Sequence, residues 1–142
     1  MPPRLIFLIF NVSGLKLNVI YAVTKSRKMD IDDILRQFHC ENSEMTKQRF
    51  LNDFSFYISA LKTMLKDDAW KSLGDSLEKK QTENAFELAH SLKGSAANCG
   101  LTPLYVLLEK ITALLRKKED GEELLLLYEN LMEKKQELES LL

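Results

Sequence analysis

His90, Lys93 and Gly94 are the residues of this chain whose types and spacing could do chemistry together. They lie in the stretch AHSLKGSAANCG, residues 89–100. On a helix, at about 100° per residue, positions three and four apart share a face. Lys93 and Gly94 therefore stand one turn beyond His90, on its own side. A free imidazole, with an ordinary pKa of about 6.5, is largely neutral at pH 7 and keeps a lone pair for nucleophilic attack. An ammonium at the same level can neutralise an anion bound to the ring. Glycine in mid-helix costs about 1 kcal/mol against alanine, and such a cost has a packing or functional reason. Here the missing side chain clears space beside the imidazole, and Ala97 extends the clearing. The set suits a histidine that takes and gives a phosphoryl group. Spacing by itself leaves a plainer reading open: a surface histidine beside a lysine, with a glycine that serves helix packing. His39, beside Phe38, has no such setting and reads as structural or solvated.

The helix that must carry these residues has two unlike sides. Ala85, Leu88, Ala89, Leu92, Ser95, Ala96 and Cys99 fall together and are apolar or small, so this side packs and lets neighbouring helices come close. Glu83, Phe86, Glu87, His90, Lys93, Gly94 and Ala97 fall on the other, with His90 at its centre and exposed. Thr82 is the expected N-cap, and Gly100 can take the left-handed conformation just past the C-terminus.

The rest of residues 30–142 reads as helices separated by short polar breaks. IDDILRQF opens with acidic residues that suit a helix N-terminus. Phe50, Phe54, Tyr57/Ile58, Leu61 and Leu65 recur at three- and four-residue steps, the stripe of one helix from about Glu44 to Leu65. Asp67 or Asp68 can cap the next, which buries Trp70, Leu73 and Leu77. Thr102 as N-cap and Pro103 at the first position start another, with Leu104, Leu107/Leu108, Ile111 and Leu114/Leu115. A last helix carries Leu124, Leu127/Tyr128, Leu131, Leu138 and Leu141/Leu142. Five or six helices with short links predict an all-α, up-and-down bundle.

Composition narrows the function. The 142 residues are 45% hydrophobic and 29% charged, enough for one domain with a core. Five Gly and three Pro leave little room for the turns of an all-β fold. A net charge of -1 gives no electrostatic footprint for nucleic acid. Cys40 and Cys99 lie far apart without CxxC spacing, which suggests neither a zinc site nor a disulfide framework. They read as two reduced thiols in a cytosolic protein, with Cys99 in the core. No Gly-rich nucleotide loop and no convergent acidic metal cluster is present in the sequence.

Residues 1–28 read differently. PPRLIFLIFNVSGLKLNVIYAV is apolar and β-branched without helical periodicity. Asn11, Ser13, Gly14, Lys16 and Asn18 interrupt the run of about 20 apolar residues that a membrane helix needs. No signal-peptide cleavage pattern follows LIFLIF. NVSG could turn a hairpin. Three readings stay open: an appendage, translation from an upstream start with Met29 the natural first residue, and, with less weight, a membrane anchor. The composition shift at TKSRKMD marks the boundary, giving a domain over 29–142.

AHSLKGSAANCG resembles the signature of histidine phosphotransfer (HPt) domains: Ala89, His90, Leu92, Lys93 and Gly94, then the small Ser95, Ala96 and Ala97, then Gly100. IDDILRQF, the Phe50–Leu65 stripe and LTPLYVLLEKI look like their family counterparts, so the resemblance covers about residues 30–142. Cys99 departs from the larger aliphatic residue common there. The resemblance implies an up-and-down four-helix bundle with one or two additional N-terminal helices, and a phosphorelay intermediate of two-component systems. His90 would take a phosphoryl group from a receiver-domain aspartate and pass it to another receiver. Lys93 would contact the phosphoryl oxygens, and Gly94 would admit the receiver's loops. Phe86, Glu87 and Ala97 would belong to the docking patch. It implies a phosphocarrier with no kinase activity and no cofactor or metal of its own, Mg²⁺ being supplied by the receiver. Partners would be response regulator receiver domains and a hybrid sensor histidine kinase, met by a cytoplasmic monomer without membrane or nucleic acid. The alternatives are a helical module that binds receivers without transfer, and a piece of a longer sensor kinase.

Overall fold

The computed structural model describes residues 28–119 and 121–142, and residues 31–142 form one unit. The readings of the N-terminal stretch lie outside the described residues. Seven helices follow one another, with no strand among the described residues: α1 (Ile31–Gln37), α2 (Ser43–Arg49), α3 (Phe54–Leu65), α4 (Ala69–Glu78), α5 (Thr82–Asn98), α6 (Thr102–Arg116) and α7 (Glu122–Leu141). None of them is long and apolar enough to cross a membrane.

The last four helices make the bundle. α4 packs on α5, α5 on α6, α6 on α7, and α7 returns to α4, closing the ring. Short links between long helices force neighbours to run antiparallel. The stripes expected from the sequence meet inside: Leu73, Leu92, Leu104, Leu108, Ile111, Leu131 and Leu138 are all essentially solvent-free. Ala85, Ala89 and Ala96 are equally buried, and their small size lets α5 lie close to α4 and α6.

The stripe at 44–65 is two helices, not one. α2 stops where Leu51 and Asn52 adopt φ 56° and 51°, and the Leu51 and Asn52 amides close back on the Gln48 and Lys47 carbonyls at 3.1 and 2.7 Å. Asp53 then caps α3, its side chain accepting the Phe56 amide at 3.1 Å. A non-glycine residue in this region costs on the order of 1 kcal/mol or more. Phe50 offsets it by burial, edge-on to Tyr57 with centroids 4.9 Å apart. The apolar rhythm survives the break because the turn returns Phe50 to the same core. Three helices therefore precede the bundle.

Caps shift by one residue from expectation. Gln81 and Leu101 are the N-caps of α5 and α6, and Thr82 and Thr102 are the first helical residues. The cause is chain economy: the Gln81 and Leu101 amides still bond the preceding helix, at Ser76 and Ala96, and the next helix begins at once. Thr102 spends its hydroxyl elsewhere, accepting the Glu41 amide at 2.9 Å. Asp68 is the N-cap of α4 without a side-chain bond, while Asp67 accepts the Ala69 amide. Cys40 and Cys99 are free, and burial pushes both thiols up to about 11.

Candidate functional site

α5 is fixed first at its C-terminal end. Its last four carbonyls need partners that the helix cannot supply. Gly100, at φ 71°, ends the helix in a Schellman turn, its amide on Ala97 and that of Leu101 on Ala96. The Arg49 guanidinium donates to the Asn98 carbonyl at 2.8 Å and to that of Ala97 at 3.3 Å. That places a cation at the negative end of the helix dipole. The buried Tyr57 hydroxyl donates to the Cys99 carbonyl at 2.8 Å. A side chain at Gly100 would also collide with Thr46 of α2. The N-terminal helices thus clasp the turn that follows the histidine helix.

His90 lies mid-helix on the exposed side of α5, as expected. Phe86, one turn earlier, stacks on the imidazole with centroids 5.9 Å apart and planes 11° from parallel. Arg116 of α6 sits over the Phe86 ring, 5.5 Å from its centroid, in cation–π range. Phe86 is consequently half-buried, whereas Glu83, Glu87 and Ala97 are exposed.

Gly94 distinguishes the two readings of the motif. A Cβ built there meets nothing within 4 Å, and the residue is exposed. Packing among the described residues does not require the glycine. The space it leaves faces outward, beside His90.

Lys93 is drawn sideways. Its ammonium donates to Glu109 of α6 at 2.8 Å, and only 15% of the side chain is exposed. The Lys93 hydrogen bond and charge hold the Glu109 carboxyl below its ordinary range. Sequence reasoning passed over Glu109, because nothing local marks a partner 16 residues away.

A second set missed from the sequence flanks Ala97. Met45, Tyr105 and Val106 are exposed apolar or aromatic residues, and with Ala97 and Arg49 they line one shallow groove. The available signal was phase: Tyr105 and Val106 fall off the buried stripe of α6. Among the described residues no cluster of His, Cys, Asp and Glu could hold a metal ion.

The helical ring and the exposed histidine define a histidine-bearing four-helix bundle. A family model described as Hpt domain matches residues 48–141, and the chain belongs to that family. Hpt domains are the histidine phosphotransfer modules of phosphorelays, phosphocarriers rather than enzymes, and they interact with receiver domains and histidine kinases. The match begins inside α2 and takes in the whole ring. Neither the curated proteins nor the solved structures compared with the chain gave a match.

Proposed function

We propose that this chain accepts a phosphoryl group on His90 from the aspartyl phosphate of a receiver domain and transfers it to another receiver. An imidazole nitrogen lone pair forms the N–P bond as the acyl-phosphate P–O bond breaks, and the leaving electron pair stays on the receiver carboxylate. Onward transfer is the same step reversed, toward a second carboxylate. Lys93 offers donors to the phosphoryl oxygens, where charge develops. Gly94 admits the partner's loops. Phe86, Glu87 and Ala97 form the docking face, with Met45, Tyr105 and Val106 as its apolar extension. The receiver supplies Mg²⁺ and its acidic residues. The chain works as a cytoplasmic monomer.

The observation that carries this reading is Gly94. It is an outward-facing mid-helix glycine that packing among the described residues does not need, one turn from an exposed histidine. Incubation with a phosphorylated receiver domain tests it. Label should move to this chain, resist base and be lost in acid, and His90→Gln should take none. Equal labelling of His90→Gln would sink the assignment, and receiver binding without any transfer would mark a binding module instead.

A further inference from the structure

We propose that Glu109 is the positioning residue of this site: it holds the Lys93 ammonium and offsets its charge, so that phosphorylated His90 stays a ready donor. The inference deepens the phosphotransfer reading and rests on it. Lys93 leaves α5 on the solvent side, yet its side chain is 15% exposed because it reaches to Glu109 on α6. A charge-assisted bond of 2.8 Å fixes a stem that is otherwise mobile. An ammonium carries three donors, and Glu109 takes one of them, which leaves two for phosphoryl oxygens.

Glu109 is itself held in a circuit. Beyond Lys93, the Arg116 charge acts on its carboxylate from two turns along α6. Arg116 covers Phe86, and Phe86 stacks on His90. Side chains of α5 and α6 thus pair twice on the side of α5 that carries His90, Arg116 with Phe86 and Glu109 with Lys93. An uncompensated ammonium would stabilise the phosphohistidine dianion and hold back the step in which the N–P bond breaks. A carboxylate at 2.8 Å makes the pair neutral in sum, so the phosphoryl group meets an oriented dipole rather than a net cation.

Two measurements on the whole protein test this. The first needs no phosphotransfer: acylation of Lys93 by an amine-reactive reagent, read by peptide mass spectrometry against the exposed Lys71. Lys93 should react slowly in the wild type and several-fold faster in Glu109→Ala, and equal rates would overturn the proposal. The second is the equilibrium share of label between receiver and His90. Glu109→Gln keeps an acceptor of the same shape and drops the charge. It should raise the His90 share about fivefold, the effect of one charge at contact in high dielectric, slow onward transfer, and leave KM for the phosphorylated receiver unchanged. In a Lys93→Met background the substitution should have a clearly smaller effect, what remains being the direct repulsion between the Glu109 charge and the phosphoryl group. An unchanged share, or an effect as large without Lys93, overturns the proposal. Absence of label on the wild type would strike the transfer reading instead, and the acylation rates still decide whether Glu109 holds Lys93.

Discussion

The two faces of α5 obey opposite rules. On the inner face Ala85, Ala89, Leu92 and Ala96 are buried to within 1% of complete, and every side-chain volume is set by a neighbouring helix. On the outer face a Cβ at Gly94 would meet nothing within 4 Å among the described residues, and His90 and Ala97 are exposed. The same residue type, small, therefore means different things on the two sides. Inside, smallness brings helices together. Outside, it leaves open space one turn beyond the histidine, on the side away from Phe86. The inner face and the clasped C-terminal turn supply rigidity, and the outer face spends that rigidity on presenting one imidazole.

Substitutions on the two faces should separate function from stability. The largest effect falls on His90→Gln: label transfer should vanish while the thermal midpoint stays that of the wild type, because the residue is exposed. A large fall in the midpoint would place His90 in the fold rather than the site. Next comes Leu92→Ala on the inner face, which should cost about 2–5 kcal/mol through the lost contact and the cavity left behind. Urea unfolding reads it, and a loss under 1 kcal/mol would break the account of α5 packing. Tyr57→Phe, which strands the Cys99 carbonyl in a buried place, should cost about 1–3 kcal/mol.

Gly94→Ala sharpens the comparison most, because stability and activity should move in opposite directions. The substitution removes backbone freedom at a site with open space, so the chain should become more stable by about 0.5–1 kcal/mol. Transfer from a receiver should slow at the same time. A destabilised Gly94→Ala would mean that the glycine serves this chain's own packing. The smallest effect concerns pH. The Glu109 carboxyl is lowered in the fold, first by the Lys93 hydrogen bond. Its contribution to stability is therefore present above its ordinary value of 4.5 and is lost as the pH falls through the lower folded value. Wild type and Glu109→Gln should differ in urea midpoint at neutral pH and converge in acid. Parallel curves would remove the ion pair from the stability of the outer face.

Much of this was legible in the chain because helices write their faces into sequence at a fixed period. The stripes of α4 to α7, the burial of Cys99, the exposure of His90 and the left-handed stop at Gly100 all follow from local spacing. The division of the 44–65 stripe was not legible. Leu51 is a poor left-handed residue, and the apolar period runs straight through the turn. Asn52–Asp53 was the local sign of a stop and a new cap.

The sequence by itself determined the motif, the side of the helix on which it lies, and the all-helical bundle that holds it, since each depends on residues within a few turns of one another. Only the tertiary structure decided what surrounds His90. Glu109 reaches Lys93 from α6, Arg116 reaches Phe86, and Arg49 and Tyr57 fasten the end of α5 from helices more than 40 residues away. Those partners meet because apolar stripes bury themselves together, and no local periodicity records which polar residues that burial brings face to face.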